Sequence, residues 1–143
     1  MVAGIILPLL PVRTLSLPPE QRIGRYYAMA RYDHLPIYKL GYDFCLAAEQ
    51  YCKKFPQYHK YTLGAEIRSG AHNLLLLIVA ANTTQTKRNT LERLRLVLDQ
   101  EKILLRLAFD LRCWESFHQY ERLSEMVVNL SKQNEGWLKK YGG

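Results

Sequence analysis

The sequence predicts an all-α fold: an antiparallel four-helix bundle over residues 35–143, preceded by an irregular or partly helical extension over residues 1–34. Three observations lead there. Apolar residues recur at three- and four-residue spacings through four long segments, as in helices with one buried face. The breaks between these segments are short, which makes sequential helices antiparallel neighbours. No segment shows the two-residue alternation of a strand.

The first predicted helix runs from about Ile37 to Lys54. Leu40, Phe44, Ala48, Tyr51, Cys52 and Phe55 mark its buried stripe, and Pro56 is expected to stop it. The second runs from about Leu63 to Asn82 with Thr62 as N-cap, and buries Leu63, Ile67, Ala71, Leu74, Ile78 and Ala81. From Leu74 to Ala81 it is apolar all round, as expected for a helix buried on more than one face. The third and longest spans about Thr90 to Cys113, with Asn89 and Glu92 placed as cap and capping-box partner. The fourth starts at a second capping box, Ser116-Phe-His-Gln119, and runs to about Glu135, with Gly136 just past its end.

Residues 1–34 read differently. Pro8, Pro11, Pro18 and Pro19 defeat a long helix. Ile5-Ile6-Leu7 resembles the core of a secretory signal, but no Lys or Arg precedes it and no small-residue cleavage site follows, so a flexible or loosely docked arm is expected instead. Arg22, Arg25 and Arg31 with Tyr26, Tyr27 and Tyr32 fit a short basic-aromatic helix and equally a solvated tail.

Composition bounds the function. The 143 residues carry 20 Lys or Arg against 13 Asp or Glu, a formal net charge of +7, which favours polyanionic partners. Hydrophobic residues make up 48%, enough to build a core. No apolar run approaches the roughly 18 residues of a membrane span. Cys45, Cys52 and Cys113 are odd in number and too few for a disulfide framework, so a reducing cytoplasm is the simplest compartment.

The third helix carries two apolar faces. With Leu94 at zero on a helical wheel, Leu91, Leu98, Leu105 and Ala108 fall within about 60° of it and face the bundle. Leu96, Ile103 and Leu107 lie nearly opposite. Large aliphatics there form either an association surface or a patch covered by the arm or a loop, and the pattern favours self-association. Arg95, Lys102 and Arg106, at about 80° to 120°, make a basic ridge interrupted by Asp99, and Lys87 and Arg88 precede it. Glu101 falls in the bundle-facing stripe, so it must pair with a cation or sit in a wet part of the bundle.

Other chemistry finds little support. No cofactor or metal site is expected: Glu-x-x-His occurs once, at Glu115 to His118, whereas di-metal bundles need it on two helices. Cys45 and Cys52 share a face of the first helix and read as small core residues. Arg112 and His118 resemble the Arg-x4-6-His motif of HEPN ribonucleases, with His118 as acid/base and Arg112 stabilising the phosphorane. A capping role for His118 accounts for the same residue. The segment Lys53 to Tyr61 mixes cations with aromatic rings, suited to phosphate contacts and base stacking and equally to a solvated loop.

Several motifs, in order, resemble one family. Phe55-Pro56 with Tyr61-Thr-Leu-Gly64, Leu104-Leu-Arg-Leu-Ala108, Ser116-x-His-Gln-x-Glu121 and Gly136-Trp-Leu-Lys139 are similar to the four-helix-bundle family of the Avd proteins of diversity-generating retroelements. That family also includes proteins encoded in ribosomal-RNA intervening sequences. The resemblance covers about Leu35 to Lys140. It implies a homopentameric barrel with a basic surface, bound to RNA or DNA and to the retroelement's reverse transcriptase, with no catalysis of its own. Lys102 and Arg106 match the two cations tied to these contacts. Glu101 stands where the family has an apolar residue. An intervening-sequence protein without a reverse transcriptase partner is the alternative within the same family.

Overall fold

A computed structural model describes residues 35–141 of the chain. Its elements are α1 (Pro36–Cys52), a single turn α2 (Gln57–Lys60), α3 (Leu63–Thr83), α4 (Lys87–Asp110) and α5 (Phe117–Tyr141), with no strand among the described residues. Residues from Leu40 onward form one compact unit. Of the preceding unit, Met1–Lys39, the described residues open α1, with Pro36 in its first turn where a missing N–H costs nothing. The expected extension over 1–34, with its Arg and Tyr residues, lies outside the described residues. Among the described residues no helix is long and apolar enough to cross a membrane.

The four long helices follow the predicted periodicity, and each sequential pair runs antiparallel. Along α1 and α3, Gly41 meets Ile78, Cys45 donates through Sγ to the Ala71 carbonyl at 3.0 Å, and Glu49 pairs with Arg68. Gly70 of α3 meets Glu101 of α4. On α4 and α5, Asn134 donates to the Leu91 carbonyl at 3.1 Å, and Phe109 stacks on Tyr120 with centroids 4.5 Å apart. Arg122 of α5 reaches the Tyr51 hydroxyl of α1 at 3.1 Å.

All six stripe positions of α3 and all five of α4 are buried. Each large aliphatic side chain so removed from water contributes about 1.5–3 kcal/mol. Cys45, Cys52 and Cys113 are free and buried, and burial pushes the Cys45 and Cys52 thiols up to about 12, which leaves them packing groups rather than nucleophiles.

Helix ends depart from expectation. α1 stops at Cys52, before Pro56, through tight turns in which Lys54 and Phe55 donate to the carbonyls of Tyr51 and Cys52. Pro56 instead opens α2, its carbonyl accepting from His59 and Lys60. Thr62 stands at the N-cap of α3, but its hydroxyl turns back to the Tyr58 carbonyl. The Asn89–Glu92 cap does not form. α4 begins at Lys87, because the linker is only residues 84–86, and Glu92 pairs with Arg88 one turn away. Gly136 lies inside α5, which continues to Tyr141. The Ser116 box forms in part: Gln119 N donates to Ser116 Oγ at 3.4 Å, but Gln119 Oε1 accepts from Glu115 N, one residue before the cap, at 3.2 Å. The all-round apolar stretch of α3 is not wholly buried, since Leu76 is 66% exposed.

Of the two expectations for Glu101, pairing with a cation is not met. This residue is 1% exposed, neither carboxyl oxygen has a hydrogen-bond partner, and no cation pairs with it among the described residues. Burial pushes the carboxyl from 4.5 up to about 8. The folded protein therefore keeps this proton in a range where the unfolded chain loses it. Stability is fully present below about pH 4.5 and falls as pH rises toward 8, by on the order of 5 kcal/mol. Glu101→Leu is expected to flatten this slope and to raise stability at pH 8. Urea unfolding of both proteins at pH 5, 6.5 and 8 measures it, and parallel slopes would show that another group titrates.

Candidate nucleic-acid interface

The outer face of α4 follows from its length and phase. With one side held against α3 and α5, the residues half a turn away meet no other helix among the described residues. Leu96, Ile103 and Leu107 are 58%, 66% and 45% exposed. Three large aliphatics on one exposed strip fit an association surface.

The cations beside this strip are present, but the ridge is not bare. Arg95 makes a two-pronged pair with Glu135 of α5 at 2.6 and 2.7 Å, which holds the Glu135 carboxyl below its ordinary value. Lys102 pairs with Asp99 at 3.4 Å and Arg106 with Asp110 at 3.1 Å. Arg88 pairs with Glu92. Lys87 leaves the surface row: its Nζ donates to the Ala81 and Thr84 carbonyls at the end of α3, and it lies over the Tyr141 ring. The predicted ridge, interrupted only by Asp99, is thus a row of exposed ion pairs. Three of these pairs follow from i,i+3 or i,i+4 spacing within α4. The Arg95–Glu135 pair spans 40 residues and needed the fold. Such solvated pairs exchange partners readily, so a phosphate can take the carboxylate's place.

A second set of cations gathers at the end of the bundle where α1 and α4 finish. Phe55 and Trp114 meet edge to face at 4.7 Å and tie the loop after α1 to the turn before α5. Around that joint Lys53, Lys54 and Arg112 are exposed, with no ion pair among the described residues. Tyr58 and Tyr61 are 84% and 66% exposed, with Lys60 over the Tyr61 ring. On α4 and α5, Phe109, Phe117 and Tyr120 form an aromatic cluster, and Phe117 is 59% exposed. An open hollow of about 470 Å³ lies between Phe109, Arg112 and Phe117, with Asp110 and Glu115 also on its wall. The segment from Lys53 to Tyr61 held half of this surface in plain view. The Phe109, Phe117 and Tyr120 half was missed, because helical spacing alone assigns such rings to a core.

Arg112 holds the turn in an unusual way. Cys113 N donates to the Ala108 carbonyl and Arg112 N to the Phe109 carbonyl, the two bonds of a Schellman ending. The residue between α4 and those bonds must be left-handed, and Arg112 has φ 60° where glycine is usual. With no glycine to mark it, the sequence placed this end three residues late. Neither the Arg112 guanidinium nor the His118 ring has a hydrogen-bond or ion-pair partner among the described residues, and His118 is exposed in the first turn of α5.

Comparison with known protein families and with curated proteins finds no match for this chain. The class its own fold and surface define is an all-helical bundle with an outward aliphatic strip, a flank of exchangeable ion pairs and a basic-aromatic end.

Arg112→Gly should stabilise the protein by about 1 kcal/mol, since it relieves a left-handed side chain. If Arg112 also contacts phosphate, the same variant binds RNA more weakly while unfolding at higher urea. Equal stability would mean that the turn carries no strain, and equal RNA affinity would remove Arg112 from the interface.

Proposed function

We propose that this chain is a non-catalytic accessory protein of the Avd kind, a homo-oligomer that holds nucleic acid and serves a reverse transcriptase. The observation that carries this reading is the outer face of α4, where exposed Leu96, Ile103 and Leu107 run beside Lys102 and Arg106. Assembly through the aliphatic strip, in a pentamer by family resemblance, repeats the cationic flank around a closed surface. Repetition turns weak single contacts into strong binding without any new contact. The basic-aromatic end supports the same reading: Lys53, Lys54 and Arg112 suit phosphates, and Tyr58, Tyr61 and Phe117 suit stacked bases.

The mechanism is electrostatic. Phosphates displace Asp99, Asp110 and Glu135 from their cations and release counterions from the nucleic acid. Little in such a surface reads base edges, so template RNA would be held by charge and stacking rather than by sequence. A gene for a reverse transcriptase beside this one favours the retroelement role, and a position within a ribosomal-RNA operon favours the intervening-sequence alternative.

Two experiments test this. Charging the strip, as Leu96→Lys with Ile103→Glu, is expected to reduce the light-scattering mass from an oligomer to a single 16.7 kDa chain. A wild-type protein that is already monomeric at that mass would remove the assembly from the proposal. In the second, binding to a labelled single-stranded RNA should weaken at least about tenfold between 50 and 200 mM salt. Lys102→Glu with Arg106→Glu should weaken it further, Asp110→Asn with Glu135→Gln should strengthen it, and the RNA should be recovered intact. Binding indifferent to salt and to these charges would defeat the electrostatic mechanism, and cleavage abolished by His118→Ala would make the protein a ribonuclease.

A further inference from the structure

The α3–α4 interface contains two residues that are each unfavourable alone and are fitted to one another. Glu101 buries a carboxyl without a partner. Gly70 sits inside a helix, where it costs up to about 1 kcal/mol relative to Ala. A Cβ built on Gly70 would overlap Glu101 Oε1, so the missing side chain is the space that the carboxyl occupies. A leucine at 101 would fill a plain core position at no such cost, as it does at 94, 98 and 105 of the same helix.

This pair forms part of the wall of an open cleft of about 530 Å³. The cleft also holds the exposed carboxylate of Glu66, the amides of Asn73 and Gln100, and the apolar side chains of Val97 and Leu104. Among the described residues no Lys, Arg or His lines it, in a chain whose net charge is +7. A buried carboxylate lacks one thing here, a cationic hydrogen-bond donor. A hard metal ion needs six or more oxygen ligands, and no group of three potential ligand side chains occurs among the described residues. An organic cation on an apolar stem fits better: its head meets Glu66 at the mouth and Glu101 once that buried carboxyl turns toward the cleft, and its methylenes lie along Val97 and Leu104.

We propose that the α3–α4 cleft binds a primary alkylammonium or guanidinium group, with Glu101 as its buried counterion over Gly70. The cation comes either from a free diamine or from a Lys or Arg side chain of a second copy of this chain. Gln100 and Leu104 place the cleft next to the aliphatic strip on α4, so a docked copy can reach it. Binding ionises Glu101, which burial keeps protonated near neutral pH, and so releases one proton. This site does not depend on nucleic-acid binding.

The test uses the full chain at pH 7 with 1,4-diaminobutane and ethylguanidinium as probes, and butanol and matched NaCl as controls. Calorimetry should show saturable binding of both cations and of neither control, with uptake of the released proton by the buffer. The Glu101 carboxyl carbon should move to its ionised NMR shift. Glu101→Gln and Glu101→Leu should bind at least tenfold more weakly, the leucine variant remaining folded because it replaces a buried carboxyl with an apolar group. Amine binding lost in both variants at unchanged light-scattering mass identifies a free amine as the ligand. No binding of free amine, but loss of self-association in both variants, identifies a side chain of the second copy. Amine binding equal in wild type and the leucine variant, or no effect of either variant on amine binding and mass, overturns the proposal.

Discussion

The position of α4 between α3 and α5 constrains everything else in the bundle. Three residues link it to α3 and six link it to α5, so it must lie antiparallel to both. Leu91, Leu94, Leu98, Leu105 and Ala108 then turn inward and are essentially inaccessible to water. Their burial settles the phase of the whole helix. Once that phase is set, Leu96, Ile103 and Leu107 must point outward, Lys102 and Arg106 must lie on one flank, and Glu101 must face Gly70. The surface of the protein is therefore a consequence of its core. A change that rotated α4 by one residue would move every candidate functional group together.

Charge on this surface is arranged locally rather than as an open field. Arg88, Arg95, Lys102 and Arg106 each sit beside a carboxylate, whereas Lys53, Lys54 and Arg112, with no ion pair among the described residues, gather at the bundle end. This distinguishes two contributions that a net charge of +7 merges. Exposed pairs hold side chains in place, at little energetic gain, until a phosphate competes for them. Free cations beside exposed rings offer charge and a stacking face at once. Both arrangements suit a ligand recognised by its backbone and its bases' faces, not by its sequence.

Glu101 and Arg112 are two places among the described residues where local rules are broken. One is a buried acid without a partner, the other a bulky residue in a left-handed turn. Neither is needed to build the bundle: an apolar residue would serve at 101 and a glycine at 112. Strain and burial of this kind persist where something other than the free chain's stability selects them. They lie at two edges of α4, the α3–α4 cleft and the turn at its C-terminal end.

Periodicity determined the four long helices, the buried stripes of α3 and α4, and the outward strip on α4, and the short breaks between helices determined their antiparallel order. Periodicity could do so because a 3.6-residue repeat maps directly onto one face of a helix. The five predicted cations were also in the sequence, and so were Asp99, Asp110 and Glu92 one turn from three of them. Only the tertiary structure decided the rest. Glu135 on α5 reaches Arg95 on α4, Lys87 turns away to cap α3, Thr62 makes no side-chain cap to α3, and Asn89 lies inside α4 rather than before it. Each outcome depends on which helix end lies beside which side chain, and spacing along one helix carries no information about its neighbours. Glu101 shows both limits at once: its place in the buried stripe was legible, but the glycine that makes room for it sits on another helix, 31 positions earlier in the chain.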